Sequence, residues 1–229
     1  MLAHERFHEL PGLVAVPRVA HEREWLVRQL IADARFYQCL RQRDKGRSAW
    51  VAWTLLSNRG LWLLTFHRIA YYCVRHRNVR APTWWWARVL QGVGTMFSVL
   101  ICRSDLIGDC EIGGPVYLSN RGYLTCGARS IGAGSVIHDR CTFGYGVARG
   151  SEGRPVIGRN VWIGPNCIVG GQITVGDGAT VLPGSFLTYS VPPGAVVKGN
   201  PAAIVRRDFD NSALRSSLSI VENVATADP

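Results

Sequence analysis

Branched aliphatic residues recur at every sixth position over a long stretch of this chain: Ile157, Ile163, Val169, Val175, Val181 and Leu187. The same interval sets Leu106, Ile112, Leu118 and Leu124, then Ile131, Ile137 and Phe143. Glycine follows the aliphatic residue in Ile131-Gly132, Ile157-Gly158, Ile163-Gly164 and Val175-Gly176. A period of six matches neither the 3.6-residue turn of an α-helix nor the alternation of an ordinary strand. It describes a chain that turns a corner every six residues, so that three short strands complete one triangular coil. The aliphatic residues stack inside as columns, and glycines and asparagines take the corners where φ turns positive. The expected architecture is a left-handed parallel β-helix, mainly β, running from about Leu106 to Leu187.

The interruptions carry their own information. Leu124 to Ile131 is seven residues, which predicts a one-residue insertion. Phe143 to Ile157 is fourteen, so a glycine-rich loop (GYGVARGSEGRPV, with Arg149 and Arg154) leaves the coil and returns. A rigid coil cannot change shape and a loop can, which makes this excursion a candidate binding element.

Upstream of the coil the pattern changes to helical spacing. Trp25, Leu26, Leu30, Ile31, Ala34 and Phe36 predict a helix from about Glu22 to Arg43, closed by Lys45-Gly46. Leu64, Ile69 and Tyr72 predict a second from about Leu61 to His76, with Arg68, Arg75 and Arg77 on its other sides. Pro82 breaks the chain, and Trp84-Trp85-Trp86 then leads into the apolar stretch ARVLQGVGTMFSVLIC. That stretch approaches bilayer-spanning length but contains Arg88 and two glycines, so a helix lying on the protein or on a membrane surface is favoured. A helix buried under the first coil is the alternative. After the coil, VPPGAVVKGNPAAIVRR forms an exit with a turn, one more strand and a basic end. The expected domains are an α-helical N-terminal part (1–105), the β-helix (106–205) and a tail (206–229).

Composition sharpens the picture at two points. Seven cysteines in no CxxC pair, within a chain showing no signal peptide, suit reduced packing thiols and a cytoplasmic location. The net charge of +10 is uneven: residues 1–105 carry sixteen Arg or Lys against seven acids, and residues 106–229 carry ten against nine. A basic N-terminal half that also holds seven of the eight tryptophans points to an anionic surface. The inner face of a membrane fits better than nucleic acid, for which the chain has no recognised motif.

The segments VIGRNVWIGPNCIVGGQITVGDGATVLPGSFLT and VPPGAVVKGNPAAIV resemble the hexapeptide-repeat acyltransferases. The helical part, the stretch IHDRCTFGYG before a looped excursion and the coil IGRNVWIGPN after it are most similar to the serine acetyltransferase branch. The resemblance covers roughly Leu106 to Val205. It implies acetyl-CoA as cosubstrate, a homotrimer, and active sites in the grooves between neighbouring coils. It also implies where coenzyme A lies: along late corners at Gly164, Pro165, Pro183 and Gly184, with Lys198, Arg206 and Arg207 near the phosphates. This chain departs from the branch at two positions. Where the branch has an aspartate and a catalytic histidine, Ser119 and Asn120 stand here, and where it has a second histidine before a proline, Arg154 precedes Pro155. Both departures argue against L-serine as the acceptor.

Acetyl transfer to a hydroxyl needs a base, a donor for the oxyanion and a shared geometry for both reactants. Histidine is the natural base. Of the six histidines, His138 alone lies in the repeat region. It follows the inward Ile137, so its side chain is expected on the outside of the coil, facing a groove. Asn120 is a candidate donor to the oxyanion or the acceptor, and Arg154 a candidate for holding an acidic acceptor. Asp139, Asp109 and Glu111 are candidate partners for His138. His67 and His76 lie among arginines and are expected at the surface. One coil histidine per chain does not make a three-histidine zinc site without a symmetry axis, so no metal is expected. Two alternatives stay open: a serine O-acetyltransferase with a rearranged site, and a non-catalytic β-helix scaffold.

Overall fold

The computed structural model describes residues 22–45, 58–75, 83–100, 102–106, 108–119, 121–146 and 152–216. Among the described residues three helices precede the coil: α1 (Glu22–Lys45), α2 (Arg59–Arg75) and α3 (Thr83–Leu100). The first two lie within two residues of where the spacing of apolar positions put them, and the third falls on the apolar stretch after Pro82. The strands β1 (Asp105–Leu106) to β14 (Val196–Lys198) then wind a left-handed parallel β-helix. Its three faces are β1, β4 (Thr125–Cys126), β7 (Thr142–Gly144), β10 (Ile168–Gly170) and β13 (Phe186–Leu187); β2 (Glu111–Ile112), β5 (Ser130–Ile131), β8 (Val156–Ile157) and β11 (Thr174–Val175); and β3 (Tyr117–Leu118), β6 (Val136–Ile137), β9 (Trp162–Ile163), β12 (Thr180–Val181) and β14. The last face gains an antiparallel strand, β15 (Ala203–Arg206), before a short helix, α4 (Ser212–Ser216).

The coil interior is three columns. Leu118, Ile137, Ile163, Val181 and Val197 form one, and Ile112, Ile131, Ile157 and Val175 a second. The third is Leu106, Cys126, Phe143, Val169 and Leu187. The hexad reading placed Leu124 in this third column, and the structure corrects it. Leu106 pairs with Cys126, so the step from Leu118 to the next inward residue is eight residues and the following step to Ile131 is five. The added length is a corner with Gly122 at φ 80° and Tyr123 at φ 59°, which seats Leu124 in the core without making it a column member. Cys110, Cys126, Cys141 and Cys167 are free, buried thiols of this interior.

A solenoid end exposes backbone groups that its next turn would have paired. Here α1 and α2 supply the partners with side chains. The Tyr37 hydroxyl donates to the Leu118 carbonyl at 2.9 Å and accepts from the Leu118 N–H at 2.7 Å. Arg68 donates to the carbonyls of Ile112, Gly113 (3.2 Å) and Gly114 (2.8 Å), while its Nε reaches Asp33 Oδ2 at 3.1 Å. Asp33 also accepts from the Val116 N–H at 3.3 Å, and His67 Nε2 donates to the Cys110 carbonyl at 2.9 Å. Gly60 makes the approach possible, since a Cβ there would stand 2.0 Å from the Leu118 oxygen. His67, expected at the surface, and Arg68, placed away from the apolar side of its helix, are therefore buried. The docking helix turns both inward because the coil end presents carbonyls to be satisfied. His76 lies outside the described residues.

Candidate functional site

The face β3-β6-β9-β12-β14 positions the chemistry. Along β6 (Val136–Ile137), β9 (Trp162–Ile163) and β12 (Thr180–Val181) the second residue points into the coil. By strand alternation Val136, Trp162 and Thr180 then belong to the outer face. They are nevertheless 0%, 2% and 0% exposed. His138 follows Ile137 and donates its backbone N–H to the Ile163 carbonyl at 3.0 Å. Its ring lies 5.0 Å from that of Trp162, tilted by 59°, and the residue is 7% exposed. The expected open groove around His138 is thus a sheltered one, closed on one side by an indole.

Three polar atoms on these adjacent rungs are buried with no partner: His138 Nε2, Trp162 Nε1 and Thr180 Oγ1. Such a group costs about 1–3 kcal/mol when left bare, so three together call for an explanation. Chemically they are an imidazole nitrogen, an N–H donor and a hydroxyl that both donates and accepts. That set is complementary to a hydroxyl substrate and a developing oxyanion.

Extending the register by one residue aligns Ser119, His138, Gly164, Leu182 and Lys198 on successive turns. Gly164 removes the side chain directly after His138, and a Cβ there would meet the Pro183 nitrogen at 2.8 Å. At parallel-strand spacing, Lys198 lies roughly 14 Å along this line from His138. Burial pushes the His138 ring down to about 4, opposed by the nearby Asp139 carboxylate and reinforced by Arg121. The ring is therefore neutral at neutral pH and open to a proton. Asp139 also faces Ser119, whose Oγ stands 3.5 Å from its Oδ1.

The remaining predicted residues are placed as follows. Asn120 lies outside the described residues. Arg154 stands on the return leg of the excursion, whose base is closed by a Gly146–Gly153 bridge. All three of its nitrogens are engaged: Nε with the Gly127 carbonyl (2.8 Å), one terminal nitrogen with the Ala128 carbonyl (2.6 Å), the other with Asp109 (2.9 Å). It staples the excursion to the coil, and the Asp109 carboxylate faces Arg154. Gly164, Pro165, Pro183 and Gly184 sit at coil corners, with Gly184 at φ 72° donating to the Pro165 carbonyl. Lys198, Arg206 and Arg207 are exposed; Arg206 is set opposite Val196, and its guanidinium lies 5.1 Å over the Phe209 ring. Sequence reasoning missed Trp162 and Thr180. The signal was present for Trp162, a large aromatic at an outer position of a late repeat, though the spacing gave it no orientation.

Comparison with known proteins agrees with the coil architecture. Residues 154–188 match the family model for bacterial transferase hexapeptide (six repeats). A chloramphenicol acetyltransferase of Agrobacterium fabrum is 45% identical over 62 residues, covering 27% of this chain and 30% of that one. A serine acetyltransferase of Buchnera aphidicola is 29% identical over 150 residues, 64% of this chain and 56% of that one. A galactoside O-acetyltransferase of Escherichia coli is 38% identical over 54 residues, 24% of this chain and 27% of that one. The chain thus spans about half the length, or less, of these curated relatives. Among solved structures, serine acetyltransferase from Vibrio cholerae superposes with a TM-score of 0.69 at 22% identity, covering 87% of this chain and 73% of that one. Soybean serine acetyltransferase complexed with serine gives 0.64 at 25% identity, covering 81% and 72%.

Proposed function

From the premise that this chain is a hexapeptide-repeat protein of the acyltransferase kind, similar to the serine acetyltransferase branch, we propose that it is an acetyl-CoA-dependent O-acetyltransferase. Its acceptor is a hydroxyl of a sugar, a glycan intermediate or a specialised metabolite. The observation that carries this reading is the buried, unpartnered Nε2 of neutral His138, beside the side-chain-free Gly164 on the line that ends at Lys198. His138 takes the acceptor's hydroxyl proton as the oxygen attacks the thioester carbonyl. A C–O bond forms, the C–S bond breaks, and the imidazolium returns the proton to the departing thiolate. Trp162 Nε1–H and Thr180 Oγ1 are the nearest buried groups for the acceptor oxygens or the oxyanion; Asn120 remains a further candidate. Pantetheine lies along the corners at Gly164, Pro165, Pro183 and Gly184, and Lys198, Arg206 and Arg207 meet the phosphates. Arg154 supports the loop that borders the acceptor.

The local likeness to a galactoside O-acetyltransferase supports a carbohydrate-type hydroxyl. Ser119 and Asn120, standing where the serine branch has an aspartate and a histidine, argue against serine. The working form we propose is a cytoplasmic homotrimer whose basic N-terminal part makes peripheral contact with the inner membrane face. Thiol release measured with a panel of hydroxyl acceptors, together with calorimetry against coenzyme A, tests the reading. Binding of coenzyme A and turnover on a sugar-type hydroxyl are expected. Absence of coenzyme A binding overturns it, and binding without turnover on any acceptor leaves the non-catalytic scaffold in its place.

A further inference from the structure

Helix α3 is apolar on two faces, and the structure covers one of them. On the covered side Gly94 lies against Phe66, and Phe97 stacks within 5.1 Å of Phe66 and 6.1 Å of Trp62, both on α2. On the other side Val89, Val93, Met96, Val99 and Leu100 are exposed by 41–66%, with Gly92 among them. Their spacing (89, 93, 96, 100, with 92 and 99 beside) is a continuous stripe along the helix. A bare apolar stripe of this length on a soluble surface marks an interaction site.

The charge of the sequence segment that carries it selects the occupant. The sixty residues from Lys45 to Ser104 contain eight arginines, one lysine and no acidic residue. Among the described residues of this segment, Arg68 is neutralised by the buried Asp33. A second copy of this face would bring two such acid-free segments together, with no carboxylate of its own to offset the repulsion. An anionic bilayer supplies the missing charge and also takes the apolar stripe. The helix is suited to lie on the surface: among the described residues no helix is long and apolar enough to cross a membrane. Trp84, Trp85 and Trp86 occupy its first turn, a residue type that favours the interface level.

We propose that the Val89–Val93–Met96–Leu100 face of α3 is the membrane-docking surface of this protein, seated in the interface of an anionic bilayer with the flanking arginines on lipid phosphates. This rests on the peripheral contact proposed above and names the surface that makes it; it is independent of the acetyl transfer. The test is flotation of the full chain with phosphatidylcholine vesicles, with and without phosphatidylglycerol. It is run at about 0.1 M and about 1 M salt, where the Debye length falls from about 10 to about 3 Å. The wild-type protein is expected to float with the anionic vesicles alone and to be largely released at high salt. The double variant Val93→Glu, Met96→Glu places two carboxylates on the stripe without touching the core. It is expected to keep its melting temperature and to lose at least about tenfold in bound fraction, since each charge opposes both burial and the anionic surface. If the wild type floats and the variant floats equally, this face is wrong while peripheral contact stands. Wild-type protein that stays in the soluble fraction at low salt overturns both. If the variant instead lowers the oligomer mass in light scattering while neither protein floats, the face joins copies of the chain and the proposal is overturned.

Discussion

Two regions of this molecule treat their buried polar side chains in opposite ways. Where the helices cap the coil, Arg68, Asp33 and Tyr37 are all paired, chiefly to backbone groups of the first turn. On the outer face of β6, β9 and β12, His138, Trp162 and Thr180 are as deeply buried and leave one polar atom each without a partner. Burial alone therefore does not distinguish a structural polar group from a functional one. For these two sets satisfaction does: the paired groups hold two elements together, and the unpaired ones retain donors and acceptors for a bound molecule. His67 stands between the two, with Nε2 bonded to Cys110 and Nδ1 bare, on the structural side of the molecule.

The largest effect is expected in the cap. Arg68→Ala leaves Asp33 buried without its counter-charge and three carbonyls without a donor. Removing one partner of a buried pair costs about 3–5 kcal/mol, read as a loss in urea unfolding free energy. The double variant Arg68→Ala, Asp33→Ala is expected to recover part of it. A loss no larger than that of an exposed arginine would mean that the cap is not held by this pair.

Acidification strikes the same region next. Burial holds the His67 ring at about 4, against 6.5 for the free side chain, despite the Cys110 carbonyl bond and with Arg68 adding to the depression. The unfolded chain therefore binds the proton more readily. The contribution is complete above about pH 6.5 and is lost as pH falls toward 4, about 3 kcal/mol in all. His67→Gln keeps a donor for the Cys110 carbonyl and is expected to flatten the slope of stability between pH 6.5 and 4.5. His138, depressed in the same direction, leaves a residual slope. Tyr37→Phe follows in size: the Leu118 N–H and carbonyl lose one shared partner, for about 1–3 kcal/mol, with thermal unfolding as the readout.

The coil was legible because its contacts repeat. One column residue predicts the next through the hexad, and the excursion after Phe143 showed as a break in the count. The corner between Leu118 and Cys126 was misread, because Leu124 satisfies the hexad while the register follows Cys126. The cap was not legible at all. Its contacts join residues that are 35 to 83 positions apart, Arg68 with Asp33 and Asp33 with Val116, and no repeat links them. An arginine within an arginine-rich helix reads as solvent-facing until the carbonyls opposite it are known. The candidate base was found by elimination among six histidines, whereas its neighbours on β9 and β12 needed the register that stacks them.

The smallest effect on stability falls on the unpaired side, and it separates the two kinds of burial most sharply. Trp162→Phe removes an indole N–H that has no partner, while keeping an aromatic ring beside His138. Removing an unsatisfied donor relieves a desolvation cost and sacrifices some packed volume, so the two nearly cancel and the net change is expected within about 1 kcal/mol. Turnover is a different matter. If the N–H meets the acceptor or the oxyanion, its loss lowers kcat/KM by about 10²–10³, with coenzyme A binding unchanged by calorimetry. Together with His138→Ala, expected to lose about 10²–10⁴ in turnover, this pair locates the reaction on the β6–β9 face. An unfolding free energy reduced as much as that of Tyr37→Phe, with kcat/KM intact, would show that the indole is a structural wedge and that the bare nitrogen of His138 waits for nothing that Trp162 also serves.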